Sequence, residues 1–368
     1  MVSSTEDLLQ YAKINEQGSI LLGKNTVVDG YQHGREIGVF SHIHKDHIEL
    51  FTYAMHECSA IFVSPPTFDM LAAIEQDEKG NLSSETYFSG RHIHRLDFDT
   101  PIIPKKYLRV INPKIEFSDK ITLKKAHHIL GSSQVLINTD DGKDIVYSSD
   151  FSYPETEAIE CDVLVLDSTH GDPMFNAVVD SQSLENRLVE HVDQEIEAGN
   201  PVCIRTHVGR LQYVMSLLSQ KLADNIPFLS TGKNKKLVPI YTKYGMPIRN
   251  IIDSKTFDGE EILEGGFPFI EFKTIPESKS IAEMDKRSVV FHLGGQFLGS
   301  KTTIKQNLGD HKNYYLEFGD HGNYSNIIKY VEKCAPKLVI TDNYRSAWGK
   351  KLAENIHKEL NIDTASQP

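Results

Sequence analysis

The chain has 368 residues, 39% of them hydrophobic, and a formal net charge of −12. Its length points to two domains, or to one domain carrying a large insertion, with enough apolar material for real cores. The acidity argues against a protein that holds nucleic acid through bulk charge, although a local basic groove remains compatible with it.

No run of 18 apolar residues suggests a membrane span. The opening MVSSTEDLLQYAKI lacks a basic region followed by an apolar one, so no secretion signal and a cytoplasmic location are expected. Cys58, Cys161, Cys203 and Cys334 are widely spaced and form no CxxC pair, which reads as free thiols in a reducing compartment.

In chain order, residues 15–50 alternate short apolar runs (Ser19–Leu22, Thr26–Val28, Ile37–Phe40) with glycine-containing turns, which predicts strands and hairpins. SAIFVSP (59–65) reads as a strand, PTFDMLAAIEQ (66–76) as a helix, and 77–97 as a loop excursion. KITLKKAHHI, SQVLINTDDGKDIVYSSD and CDVLVLDST read as strands, with Asp141-Gly142 as a hairpin turn. The composition changes after about residue 172. SLENRLVEHVDQEIEAG is an amphipathic helix, PVCIRTH a strand and GRLQYVMSLLSQKLA a helix. Strands and helices then alternate to about residue 300, as in a small parallel α/β unit. YSNIIKYVEKCA predicts a helix, PKLVITDN a strand and SAWGKKLAENIHKEL a closing helix.

One stretch demands a chemical reason. FSHIHKDHIEL places His42, His44, Asp46 and His47 within six positions, straight after an apolar run. Imidazole and carboxylate are ligands for Zn²⁺. In an extended segment His42 and His44 point the same way. A helix starting near Lys45 turns Asp46 and His47 elsewhere, so one short stretch serves two adjacent ions. Further donors stand at strand ends: His127 and His128 in KKAHHILGS, Asp150 in VYSSDFS, and Asp320 and His321 in EFGDHGNYS. RHIHRLD (91–97) repeats His-x-His without the following Asp-His, so His92 and His94 read as surface residues.

With these stretches in view, the chain resembles metallo-β-lactamase-fold nucleases of the β-CASP group and is most similar to the Artemis-like DNA nucleases. The matching segments are VDGYQHGREIGVFSHIHKDH, SPPTFDML, AHHILGSSQVL, IVYSSDFS, VLVLDSTHGDPMF and GDHGNYSNIIKYV, in family order from about residue 26 to 345. The resemblance implies an α/β fold: a metallo-β-lactamase αββα sandwich over 1–172, returning at 318–368, with an inserted β-CASP α/β domain at 173–317. It implies that His42, His44 and His128 hold one metal ion, that Asp46 and His47 hold a second, and that Asp150 bridges them. Asp167 would orient or stabilise the site, and His321 would act near the leaving group. Asp46, Asp150, Asp167 and His321 are thus the expected catalytic set. Asp29, in VVDGY, matches an acidic position that supports the ligands.

Two positions depart from the family pattern. His127 stands where a glycine usually precedes the ligand histidine, and it competes with His128. Asn343 occupies the place where RNase J-like members carry another metal-binding histidine. It is given a supporting role, with Asp342 as an alternative ligand. The ions expected are two Zn²⁺, the second held more weakly, with Mn²⁺ or Mg²⁺ as alternatives.

Two cations suit phosphodiester hydrolysis because they lower the pKa of bound water and clamp the attacking and leaving oxygens. Lys45 inside the motif, Arg205 and Arg210 in RTHVGRLQ, and Lys233, Lys235 and Lys236 in GKNKKLVPIYTKYG are the candidate nucleic-acid contacts, with Tyr241 and Tyr244 as stacking candidates. Surface charge and helix capping are the plain alternatives for all of them. Trp348 with Arg345 either stacks a base or anchors the last helix. The expected function is a zinc-dependent nuclease favouring DNA, acting as a 5′ exonuclease or on structured repair intermediates. The alternative is an RNA-processing nuclease of the same superfamily. A small-molecule hydrolase leaves the insertion unexplained, and a non-catalytic binding subunit leaves the complete ligand set unexplained.

Overall fold

A computed structural model describes residues 5–75, 92–108, 118–176, 180–275, 288–295, 304–308 and 311–368. The chain divides into two compact units, Met1–Asn176 with His321–Pro368, and Ala177–Asp320.

The first unit contains two six-stranded sheets. One runs β1 (Ala12–Ile14), β2 (Ile20–Leu22), β3 (Thr26–Val28), β4 (Ile37–Val39), β5 (Ala60–Val63) and β6 (Ile93–Arg95) in sequence order. Its first three strands pair antiparallel and β3 to β6 pair parallel. The helices α1 (Thr5–Leu9), α2 (Lys45–Ile48), α3 (Phe51–Glu57) and α4 (Pro65–Glu75) fall among these strands in the sequence. The other sheet is ordered β19-β18-β10-β9-β8-β7, with β7 (Lys120–Lys125), β8 (Ser133–Asn138), β9 (Asp144–Tyr147), β10 (Val163–Leu166), β18 (Leu338–Asp342) and β19 (Asp363–Gln367).

The two-residue period of a strand explains the layering. Ile121, Leu123, Val135, Ile137, Val163, Val165, Leu338 and Ile340 share a core with Ile14, Ile20, Leu22, Val39 and Phe62 of the first sheet. The alternate residues Val146, Leu164, Leu166 and Val339 face the other way, onto Ile327, Tyr330, Val331, Leu352 and Ile356 of α9 (Tyr324–Cys334) and α10 (Gly349–Leu360). VLVL and LVITD are apolar on both faces because both faces are covered. Asn323 caps α9 by accepting from Asn326 N at 2.9 Å, and Ala335 ends it in the left-handed region.

The second unit is a seven-stranded sheet, β13-β12-β14-β11-β15-β17-β16. It comprises β11 (Val202–Thr206), β12 (Phe228–Ser230), β13 (Ile251–Asp253), β14 (Ile270–Thr274), β15 (Val289–Gly294), β16 (Ile304–Leu308) and β17 (His311–Glu317). All pairs are parallel except β16 with β17. The connecting helices are α5 (Ser181–Glu197), α6 (Arg210–Lys221), α7 (Gly232–Lys243) and α8 (Phe257–Glu264). Leu184, Leu188 and Val192 recur at helical spacing and pack with Leu211, Met215 and Leu218 against Val202, Ile204, Phe272 and Phe291.

Several local expectations change. Most of the supposed loop over 77–97 lies outside the described residues, but its end forms β6. His94 there is half-buried against Phe62 and Tyr107 at 5.5 and 5.1 Å, not a surface residue. The lysine-rich stretch from Gly232 is helix α7, and Tyr241 is 1% exposed in its core, so it does not stack on a base. The short end strands β1 and β19 carry too little apolar alternation to be read from sequence.

The loop after β7 is held by one carbonyl. Gly131 O accepts from Ser64 Oγ at 2.7 Å, Thr67 Oγ1 at 3.0 Å and Ser133 Oγ at 3.0 Å. Gly131 has φ +84°, and a Cβ there would meet Thr67 Oγ1 at 2.6 Å and Thr67 N at 2.8 Å. Gly131→Ala therefore combines left-handed strain with a backbone clash, and is expected to cost about 1–3 kcal/mol. Urea unfolding of the two proteins measures this, and an unchanged midpoint would contradict it.

Candidate metal centre

The site is built from segments that leave strand ends. β4 runs into Phe40, Ser41 and His42, and α2 begins at Lys45 with His44 as its extended N-cap residue. His128 follows β7, Asp150 follows β9, and Asp167 follows β10. His321 lies just before α9.

These segments bring four donors together. Ligand atoms of His42, His44, His128 and Asp150 all lie within 4.8 Å of one another. Asp150 is the hub: its Oδ2 is 3.5 Å from His42 Nε2, 3.4 Å from His128 Nε2 and 3.8 Å from His321 Nε2, and its Oδ1 is 3.3 Å from His47 Nε2. His44 Nδ1 and His128 Nε2 are 3.0 Å apart. A second group, Asp150, Asp167 and His321, meets the same 4.8 Å limit. Asp46 is not in either group. Its side chain is 57% exposed and reaches His47 Nε2 at 3.5 Å.

The supporting hydrogen bonds select imidazole tautomers. Asp29 Oδ1 accepts from Ser41 N at 2.7 Å, and its Oδ2 accepts from Ser41 Oγ at 2.6 Å and His47 Nδ1 at 2.8 Å. Ser41 Oγ, whose own proton goes to Asp29, can accept from His42 Nδ1 at 3.0 Å. His42 then carries its proton on Nδ1 and turns a lone pair on Nε2 toward Asp150, while His47 carries a proton on Nδ1 toward Asp29 and points its Nε2 at Asp150. His42 Nε2 and His47 Nε2 are buried without a hydrogen bond. Orphaned imidazole nitrogens facing a buried carboxylate fit a divalent cation, and outer partners of this kind orient ligands in metal sites. Ser41 was missed by sequence reasoning; its signal was a hydroxyl directly before the first ligand histidine.

The electrostatics agree. Burial, reinforced by the neighbouring His47, pushes the His42 pKa well below its ordinary value, so the ring is neutral, as a ligand must be. Burial opposes charge on His47, but the Asp150 and Asp29 carboxylates outweigh it and raise its pKa. Burial likewise opposes charge on Asp150, and His47 and His321 outweigh it and hold that pKa well below the usual carboxylate range. Positive charge is favoured at this place.

Two backbone positions next to the donors are strained. Asp29 and Ser149, neither of them glycine, have φ of 49° and 55°. Ser148 Oγ donates to Ser149 O at 2.8 Å and accepts from Asp167 N at 3.0 Å, linking the turn before Asp150 to Asp167. Asp167 Oδ2 accepts from His321 Nδ1 at 2.8 Å, while its Oδ1 is held by Thr169 N and Oγ1 at 2.8 and 2.7 Å.

Other expected residues lie elsewhere. His127 is exposed, and its main chain serves the fold: its N–H donates to Thr156 Oγ1 and its carbonyl accepts from Ser152. Asn343 is exposed and accepts from Lys350 N at 3.3 Å, so it gives the donors no support. Asp342 is no ligand either: it is buried and pairs with Arg345 at 2.8 Å. That pair also removes Arg345 as a base-stacking partner. Trp348 packs edge-on against Phe175 at 5.4 Å.

Among the candidate nucleic-acid contacts, Lys45 is exposed beside the ligands. Arg210 is buried and its guanidinium is taken up by Asp320, so it is not a surface cation. Arg205 is half-buried on β11. Lys233, Lys235 and Lys236 sit half-buried in the first turns of α7, with Asp253 4.0 Å from Lys235. No helix among the described residues is long and apolar enough to cross a membrane.

No family profile matches the chain. It is 23% identical over 371 residues to an RNase J-like protein of Methanocaldococcus jannaschii, covering 89% of this chain and 85% of that one. It is 26% identical over 302 residues to the transcription termination factor FttA of Thermococcus kodakarensis, covering 75% of this chain but only 45% of that protein. The chain thus spans less than half the length of FttA. An uncharacterized protein from the lig 3′ region of Acidianus ambivalens is 32% identical over 136 residues, 36% of this chain and 95% of that protein, and the two belong to one family. A crystal structure of a protein of unknown function from Enterococcus faecalis superposes with a TM-score of 0.59 at 16% identity, covering 89% of this chain and 78% of that one. It shares the fold.

Asp29→Ala is expected to leave the fold intact but lower metal affinity about 10–100-fold, the usual effect of losing a partner of a ligand histidine. Equilibrium dialysis against zinc with elemental analysis reads this, and an affinity equal to wild type would refute the orienting role.

Proposed function

We propose that this chain is a β-CASP-type protein of metallo-β-lactamase fold and a metal-dependent nuclease that hydrolyses RNA phosphodiesters, a reading supported by its likeness to an RNase J-like protein and to FttA. The observation that carries the reading is the four-donor cluster of His42, His44, His128 and Asp150. Its setting is a chain that aligns over 89% of its length with an RNase J-like protein. The Artemis-like flanks favoured DNA. The long alignments instead reach proteins named for RNA cleavage and for ending transcription, so RNA becomes the preferred substrate. DNA stays as a second reading on one observation: Asn343, where RNase J-like members place a further histidine, is exposed and belongs to none of the donor groups.

His42, His44, His128 and Asp150 would hold one ion, and three imidazoles with one carboxylate suit Zn²⁺. His47, Asp46 and Asp150 would hold a second, more weakly because Asp46 is largely exposed. Divalent ions bound there supply Lewis acidity, neutralising the phosphodiester charge and lowering the pKa of water at the site.

The chain's own groups do the rest. Asp29 and Ser41 keep the His47 and His42 rings in the tautomer that presents Nε2. Asp167 accepts a hydrogen bond from His321 Nδ1–H and orients the ring, so that the protonated imidazole can pass its Nε2 proton to the leaving oxygen and end neutral, still protonated on Nδ1. Exposed Lys45 offers an ammonium to a neighbouring phosphate.

End-labelled RNA and DNA strands, each with a 5′-phosphate or a 5′-hydroxyl, test the substrate on a sequencing gel. Metal-dependent cleavage of RNA by wild type, abolished by a chelator and by Asp150→Asn, is the expected result. Cleavage of DNA alone would establish the second reading, and no cleavage of either by metal-loaded protein would sink the nuclease proposal. His321→Ala should lower turnover about 10²–10⁴-fold, the usual contribution of a general acid, with bound metal per chain unchanged. Loss of metal in that variant would make His321 a ligand instead.

A further inference from the structure

Arg345 joins two segments 316 positions apart. Its side chain is 8% exposed. Nη1 donates to Asp342 Oδ2 at 2.8 Å, and Nη2 donates to the main-chain carbonyl of Asp29 at 3.1 Å. Asp342 also fixes the turn that presents this arginine, because its Oδ1 accepts from Tyr344 N at 2.9 Å and Arg345 N at 3.0 Å. A guanidinium serves here because its planar fork donates in two directions at once, which an ammonium on a flexible stem does less well.

The residue it reaches is the one that orients His47. Asp29 sits at φ 49°, a conformation that side-chain-bearing residues adopt at a cost and keep only when their surroundings impose it. Its carboxylate is committed to Ser41 N, Ser41 Oγ and His47 Nδ1. A turn of the peptide about that left-handed residue would swing the carboxylate away from all three.

We propose that Arg345 is a positioning residue for the metal centre: by holding the Asp29 carbonyl, it keeps the left-handed turn that aims the Asp29 carboxylate at His47. The inference rests on the reading above, in which His47 is a ligand of the more weakly held ion. The chain would thereby couple the return strand β18 to the histidine motif through Asp342, Arg345, Asp29 and His47. Asp342, Arg345 and Asp29 belong to none of the donor groups themselves.

The test is zinc binding by the metal-stripped full chain, measured by equilibrium dialysis with elemental analysis, beside urea unfolding of each variant. Arg345→Met leaves the Asp342 carboxylate buried without its partner, so Asp342→Asn/Arg345→Met, which removes both charges, is measured with it. The expected result is that the tighter zinc ion binds as in wild type while affinity for the weaker one falls about 10–100-fold. Arg345→Lys should restore stability more than it restores that affinity. Asp29→Ala combined with Arg345→Met should weaken the second ion no further than Asp29→Ala alone, since both act along one path. Unchanged affinity for the second ion in either folded arginine variant would overturn the proposal, and so would additive losses in the Asp29 combination. Wild type binding no zinc would bring down the metal-centre reading itself, a result distinct from wild type and variants binding alike.

Discussion

One carboxylate governs the first unit. Asp150 is 8% exposed and stands within 3.8 Å of the Nε2 atoms of His42, His47, His128 and His321. An ionised carboxylate is taken out of water only at a cost, and that cost is tolerable only with compensating positive charge. His42, its proton held on Nδ1 against Ser41, supplies a lone pair, while His47 and His321 stand beside Asp150 with positive charge in place of a cation. The arrangement is half of an electrostatic balance, and a divalent cation is its natural complement.

The fold delivers these groups because each follows the end of a strand. Strands fully covered on both faces hold their ends rigidly, so short segments beyond them can be specified closely. β4, β7, β9 and β10 each release a donor or its partner within a few residues of the last ladder position. The strain at Asp29 and Ser149 belongs to the same economy. Both residues bend the chain sharply enough to turn a neighbouring side chain inward, and both are pinned by hydrogen bonds from hydroxyls or a guanidinium.

Much of the fold was legible because long amphipathic patterns such as LENRLVEHV and IIKYV, and apolar runs such as VLVL, state their burial directly. The short strands β1 and β19 were not, since a three-residue strand and the polar DTASQ carry almost no periodic signal. GKNKKLVPIYTK was misjudged because its lysines drew attention from Leu237 and Tyr241, which face a core. Within the candidate site, the histidine spacing and the strand-end carboxylates were readable. The separation of His128 from His127 rested on the family pattern; in the structure it is visible as an exposed ring beside an inward one. Arg210 and Asn343 illustrate the limit. A residue's type says what it can bind, while burial and the nearest partner decide whether it is at liberty to do so. Arg345 carries no local signature of its tie to Asp29, because that tie depends on which strands become neighbours.

The parallel pairing of β10 with β18 has a further consequence. Val163 to Leu166 lie beside Leu338 to Thr341, and the whole second unit intervenes in the sequence. During synthesis the open edge of β10 must wait while residues 177–320 emerge, and closing so long a loop slows productive pairing. An unpaired apolar edge is an invitation to the wrong neighbour. A ribosome-bound chain interrupted just before residue 338 would hold every ligand histidine yet lack the strand that completes their sheet. Premature stops should therefore yield aggregates rather than partial enzymes, and assembly of the centre becomes a late event in the life of each molecule.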